Sequence, residues 1–254
     1  WPKGQEKSLL PDDTIHSAIR GGCGKLNGDH PAVVAELTRR RMTLNGILTC
    51  KCKQLPEMRA AMAGVPTGPN VIERTFGTFQ DTTGATSARD AAILFANAQA
   101  PYSVLTLHGA AGRGKSHLLE SIARLGIERG ERVQFVECAH LMDLLRATQH
   151  DGADPQLSEV LWMFESADLL CIDDIGAGRV TDFGREHLLG IVEARYRRGM
   201  RLAVATNMTR EQMASSPKDG GIDARLASRL WDRGTGNVLA VPMTCTDWRL
   251  ARRA

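Results

Sequence analysis

Gly109-Ala-Ala-Gly-Arg-Gly-Lys-Ser116 is a complete G-x-x-x-x-G-K-S phosphate-binding pattern, and its flanks decide the fold. Ahead of it runs an apolar, β-like segment, Tyr102-Ser-Val-Leu-Thr-Leu107. Behind it, Lys115 to Arg129 carries Leu118, Leu119, Ile122, Ala123 and Ile127 at helical spacing, and Gly130 stands where a helix would stop. Strand, glycine loop and helix are the context this motif needs. Glycines let consecutive backbone N–H groups turn toward one anion, and the new helix aims its positive end at the same point. The expected nucleotide contacts are Gly109, Ala110, Ala111, Gly112, Arg113, Gly114, Lys115 and Ser116, with His117 following. Lys115 is expected to reach the β- and γ-phosphates, and Ser116 to hold Mg²⁺ through its hydroxyl.

Composition frames this site as part of a folded protein. Of 254 residues, 43% are hydrophobic and 24% charged, the balance of a globular chain that buries a core. A net charge of +3 excludes a strongly basic tail. No apolar run approaches a membrane span and the start has no secretory core, so a cytoplasmic protein without membrane contact is expected. Six scattered cysteines do not form a disulfide framework.

Two regions are expected. Residues 1–70 are polar and partly helical (Pro31 to Ile47), and end in the linker-like Gly64-Val-Pro-Thr-Gly-Pro69. From residue 71 to 254, strands alternate with helices, which implies a parallel α/β sheet covered on both faces. Further strands are expected at Arg132 to Val136, Leu169 to Asp173, Leu202 to Thr206 and Val238 to Val241. Helices are expected at Ala88 to Ala98, Ala139 to Thr148 and Pro155 to Ser166.

Three more motifs lie downstream. Asp168-Leu-Leu-Cys-Ile-Asp-Asp174 is a buried strand ending in two acids, which delivers Asp173 to the sheet mouth as a Mg²⁺ partner opposite Ser116 and leaves Asp174 to polarise water. Asn207, ending Arg201-Leu-Ala-Val-Ala-Thr-Asn207, either bonds the γ-phosphate or the attacking water, or merely opens a turn. In Asp223-Ala-Arg-Leu-Ala-Ser-Arg-Leu230, Arg225 and Arg229 share a helix face, either solvated or reaching a neighbour's γ-phosphate.

In their order, these residues resemble the AAA+ helicase-loader family of DnaC and IstB type. The resemblance rests on Phe76-Gly-Thr-Phe79, Gly109–Ser116 with His117-Leu118, Leu170-Cys-Ile-Asp-Asp-Ile-Gly176, Ala205-Thr-Asn207, Arg225-Leu-Ala-Ser-Arg229 and Asp247-Trp-Arg249. It covers about residues 71–254. It implies a RecA-like P-loop NTPase core without a separate C-terminal lid, beside a small, mostly helical partner-binding module. Asn207 resembles the first sensor, Arg229 the arginine finger and Arg249 the second sensor. ATP and Mg²⁺ are the implied cofactors. The implied partners are a replicative helicase (or a transposase), single-stranded DNA and further copies of the chain once ATP is bound. Ala110, Ala111 and Arg113 depart from the family's usual proline and threonine. Asp173-Asp174 replaces the Asp-Glu pair, and the shorter second acid suits a slow, switch-like ATPase.

Some readings stay open at this level. A transposition helper shares the whole core, whereas a P-loop metabolite kinase would need a substrate lid with its own basic residues, and no such insertion follows Asn207. Cys23, His30, Cys50 and Cys52 are zinc candidates, although Cys50-Lys-Cys52 is tighter than the usual ligand spacing. Arg195, Arg197, Arg198 and Arg201 cluster at one helix end, where they meet either DNA phosphates or the helix dipole.

Overall fold

The computed structural model describes residues 25–27, 47–49, 59–68, 70–80, 83–148, 154–178, 180–232 and 234–247. The chain divides into two units, 1–59 and 60–254. In the first, β1 (Lys25–Asn27) pairs antiparallel with β2 (Ile47–Thr49), with Leu26 opposite Leu48. Most of the helix expected over Pro31 to Ile47 lies outside the described residues, and Ile47 itself opens a strand. Cys23, His30, Cys50 and Cys52 also lie outside them.

The second unit is built on five parallel strands: β3 (Val104–His108), β4 (Val133–Glu137), β5 (Leu169–Ile175), β6 (Arg201–Thr206) and β7 (Val238–Pro242), in the order β4-β5-β6-β3-β7. Their sequences are near-continuous apolar runs because both faces are covered. Alternate residues serve opposite layers. Leu105 and Leu107 of β3, with Leu169 and Cys171 of β5, pack under α1 (Thr86–Ala96) and α2 (Lys115–Glu128). Val104, Leu170 and Ile172 pack against α3 (Cys138–Ala147), α4 (Asp154–Ser166) and α5 (Asp182–Arg198), with α6 (Arg210–Ala214) and α7 (Ala224–Trp231) completing that face. Period-2 strands carrying two hydrophobic faces thus become one sheet with two cores.

The second unit begins at Ala60, ahead of the Gly/Pro cluster where the sequence suggested a linker. The reason is the exposed edge of β4. The Phe135 N–H donates to the Ala63 carbonyl at 2.7 Å, and Ala60, Ala63 and Val65 are buried in the core under α1 and α2. Gly64 has φ +80°, and a Cβ there would overlap the Phe135 carbonyl. Residues 60–65 therefore cover an otherwise unpaired sheet edge.

A candidate nucleotide site at the carboxyl ends of the strands

The phosphate loop, the Asp173-Asp174 pair and Asn207 gather at the carboxyl ends of β3, β5 and β6. These three strands are neighbours in the sheet order β5-β6-β3, so their C-terminal loops meet. The phosphate loop runs from the end of β3 into α2. Gly112 (φ +75°) and Gly114 (φ +86°) take left-handed conformations, which is where the loop needs residues without a Cβ. A Cβ on Gly114 would come within 2.9 Å of the Phe79 ring, and one on Gly112 would overlap the Asp247 carboxylate. Gly114 is also the N-cap of α2 and has no side chain to cap it. The first-turn N–H groups and the helix dipole are therefore available to an anion.

Lys115 is buried, and its Nζ donates to the carbonyl oxygens of Gly109 and Ala110, each at 2.8 Å. The ammonium thus sits at the centre of the loop curve. Ser116 Oγ donates to Asp173 Oδ1 at 3.1 Å, and the same oxygen accepts the Asp174 N–H at 2.9 Å. Asp173 is buried, and desolvation holds its carboxyl above the ordinary carboxylate range despite these two donors. The acidic pair interrupts the β5–β6 register between Ile172 and Ile175, and Asp174 takes φ +54°, rare for a residue other than glycine. That irregularity turns the two carboxylates in different directions. Asp173 faces Ser116, whereas Asp174 Oδ1 accepts the Asn207 Nδ2–H at 2.9 Å. Below them, Thr206 Oγ1 donates to the Ile175 carbonyl at 2.6 Å and locks the ends of β5 and β6 together.

The side chains of the other expected contacts lie as follows. Ala110 and Ala111 are exposed. Arg113 turns outward, its Nη1 donating to the Met243 carbonyl at 2.7 Å while its own carbonyl accepts from Cys245 Sγ at 3.3 Å. His117 Nε2 donates to the Thr75 carbonyl at 2.9 Å, and its ring meets Phe79 edge-on, so it anchors the Phe76–Phe79 segment beside the loop. Its burial lowers the imidazole's affinity for a proton. Arg249 lies outside the described residues.

Arg229 sits near the end of α7. Asp223 caps that helix by accepting the Arg225 N–H at 2.7 Å, and Thr106 Oγ1 of β3 donates to the Leu230 carbonyl at 2.7 Å. Arg225 pairs locally with Asp223. Arg229 instead crosses to α5, donating from Nε to Glu193 Oε2 at 2.6 Å and from Nη2 to Glu193 Oε1 at 3.1 Å.

The basic cluster considered for DNA is built otherwise. Arg195 is fully buried and donates to the Phe164, Glu165 and Arg201 carbonyls, closing the C-terminus of α4. Desolvation lowers its pKa to about 10. Arg197 pairs with Glu193, Arg198 with Glu165 and Arg201 with Glu131. The cluster sits where β6 begins, at the opposite end of that strand from Asn207. Arg195 is thus a structural residue and not a DNA contact.

Sequence reasoning quoted Phe79 and Asp247 only as marks of the resemblance and gave no role to Phe79 against Gly114 or Asp247 against Gly112, and it passed over Glu193 beneath Arg229. Only the i, i+4 spacing of Glu193 and Arg197 was visible, and it says nothing of α7. Cys138, Cys171 and Cys245 are buried free thiols, and burial pushes Cys138 up to about 11. Among the described residues no group of three or more histidines, cysteines or acids could hold a metal ion, and no helix is long and apolar enough to cross a membrane. The donors that fit a hard divalent cation are the Ser116 hydroxyl and the Asp173 carboxylate, 3.1 Å apart beside the phosphate cradle.

A five-strand parallel sheet with this loop, acidic pair and strand-end asparagine defines a P-loop nucleotide-binding protein of the AAA+ type. The IstB-like ATP binding protein family model matches residues 57–254, and the chain belongs to that family. It is 30% identical over 172 residues to the chromosomal replication initiator protein DnaA of Bordetella petrii, covering 66% of this chain and 34% of that protein. It is 28% identical over 124 residues to the replicative helicase loader DnaC of Buchnera aphidicola, covering 48% of this chain and 50% of that protein. The chain thus spans a third to a half of the length of these relatives. The crystal structure of a DnaC helicase loader superposes with a TM-score of 0.53 at 18% identity, over 67% of this chain and 97% of that one.

Proposed function

We propose that this protein is an ATP-hydrolysing molecular switch that loads a replicative DNA helicase onto single-stranded DNA, with Mg²⁺ as cofactor and several copies of the chain assembling once ATP is bound. The observation that carries the reading is the division of labour at the end of β5, where one acid faces the phosphate-loop hydroxyl and the other faces Asn207.

The loop N–H groups and the α2 dipole cradle the β-phosphate, and Lys115 exchanges its carbonyl partners for β- and γ-phosphate oxygens. Ser116 and Asp173 would hold Mg²⁺, which supplies charge neutralisation at the phosphates when bound. Asn207 orients the Asp174 carboxylate, which accepts a proton from the attacking water. Arg229 of a neighbouring copy stabilises the charge that develops at the γ-phosphate, the role of an arginine finger. Arg249 would act as the second sensor, and Cys23, His30, Cys50 and Cys52 would be the ligands of a zinc site in the first unit.

The family match supports a second reading, an ATP-dependent transposition helper acting on a transposase. One experiment separates the two. The full chain is assayed with ATP for transfer of a hexameric replicative helicase onto a single-stranded circle, and in parallel for stimulation of transposase strand transfer. Helicase transfer that requires Lys115 supports loading. No transfer, with stimulated transposition, overturns it in favour of the helper.

A further inference from the structure

Arg229 is held more firmly than an exposed arginine on a helix surface would be. Its Nε and Nη2 grip both oxygens of Glu193 in a two-point fork, at 2.6 and 3.1 Å. Its guanidinium lies over the Tyr196 ring, 4.8 Å from the centroid. The Tyr196 hydroxyl is itself fixed, donating to Asp232 Oδ2 at 2.8 Å just past the end of α7. Glu193 is also tied from its own helix by Arg197 Nε at 2.8 Å. The guanidinium is therefore set in angle by a carboxylate and in plane by an aromatic face. Arg225, one turn earlier on α7, uses only its own helix cap.

An isolated surface ion pair contributes little to stability, so this framework is more than folding of α7 requires. Its geometry has a specific consequence. Gripping the Nε–Nη2 side leaves Nη1 without a partner among the described residues, directed away from Glu193. A planar fork held on one side presents its remaining donors in one fixed direction, which lowers the ordering cost of the next contact. Glu193 can stay bound while Nη1 meets an anion.

We propose that Glu193 and Tyr196 are positioning residues for Arg229, holding its guanidinium so that Nη1 projects toward the γ-phosphate bound by an adjacent copy of the chain. This rests on the reading of Arg229 as an arginine finger. Glu193 acts through Arg229 and touches no substrate, so its effect belongs to kcat and to whichever protomer supplies the finger.

Mixed assemblies test this. Chains carrying Lys115→Ala keep the finger but lose their own site, and chains carrying Arg229→Ala keep the site but lose the finger. ATP hydrolysis by the mixture, absent from either alone, reports a finger acting between copies. Glu193→Gln is then placed on one chain type at a time, with Tyr196→Leu as a second variant and thermal melting checked for each. The proposal expects kcat to fall about tenfold to a hundredfold, the scale of a misplaced positioning group, only when the variant rides on the finger-donating chain, with KM for ATP changed less than about twofold. Equal loss on either chain, no loss, or a rise in kcat overturns the positioning role. Full activity of Arg229→Ala alone overturns the finger reading and this inference with it, whereas an inactive Arg229→Ala with unaffected Glu193→Gln overturns this inference only.

Discussion

Asn207 and Asp174 lie at the ends of different strands and meet through a single 2.9 Å hydrogen bond from Nδ2 to Oδ1. That contact exists because Asp174 takes φ +54° in the irregularity that separates it from Asp173. Asp174→Asn removes the charge that accepts the proton and keeps the shape. The hydrolysis step is expected to slow by about 10²–10⁴-fold, the usual worth of a general base, with ATP affinity within about threefold. Single-turnover hydrolysis beside equilibrium titration of a fluorescent ATP analogue checks both.

Asn207→Ala leaves the Asp174 carboxylate in place but unoriented. One hydrogen bond to a charged group corresponds to about 1.5–3 kcal/mol, or about ten- to a hundredfold in kcat, with binding again retained. An equal fall in affinity would instead make Asn207 a phosphate ligand.

Asp173 has a pH signature. Desolvation raises its carboxyl's pKa in the folded protein, so the native state binds that proton more tightly than the unfolded chain does. The corresponding stability is present below the ordinary carboxylate pKa and is lost as pH rises through the raised value. Near neutral pH the buried charge therefore costs stability. In Asp173→Asn, Oδ1 still accepts from Ser116 and the Asp174 N–H, so the variant should melt higher than the parent at pH 7–8 while losing hydrolysis. The gap should close as pH falls toward about 4, near the unperturbed carboxylate value. Differential scanning calorimetry across that range is the check.

The core of this arrangement was legible in the sequence because it is made of local patterns. The strand before Gly109, the helix after Ser116 and the run Leu169–Asp173 are periodic segments with clear stops, and the structure places elements over each. The partition of Asp173 and Asp174 was legible only as a pair of acids, since the bulge that separates them depends on how β5 registers against β6. Arg195 read as a surface cation because its one-dimensional context is a charged helix end, whereas its burial depends on the distant carbonyls of Phe164 and Glu165. Ala60, Ala63 and Val65 gave no strand signal, because they cover the edge of β4 through backbone bonding and small side chains. The contact between Glu193 and Arg229 spans two helices, and no spacing rule reaches that far.

Gly64→Ala tests that edge. At φ +80°, with the Phe135 carbonyl where the new methyl would go, the substitution should destabilise the full chain by about 1–3 kcal/mol, the scale of local backbone strain. Chemical denaturation monitored by intrinsic fluorescence would show it. Below the unfolding range, kcat should remain within about twofold, because residue 64 touches none of the site.

The proposed switch is driven by ATP, completed between copies and responsive to DNA. The most direct measurement is steady-state ATP hydrolysis by the intact chain and by Arg229→Ala, each with and without single-stranded DNA. DNA is expected to change the parental rate, and Arg229→Ala to lose hydrolysis by about 10³-fold or more, the usual effect of removing an arginine finger. A fully active Arg229→Ala, together with rates indifferent to DNA, would contradict it and leave a stand-alone P-loop enzyme.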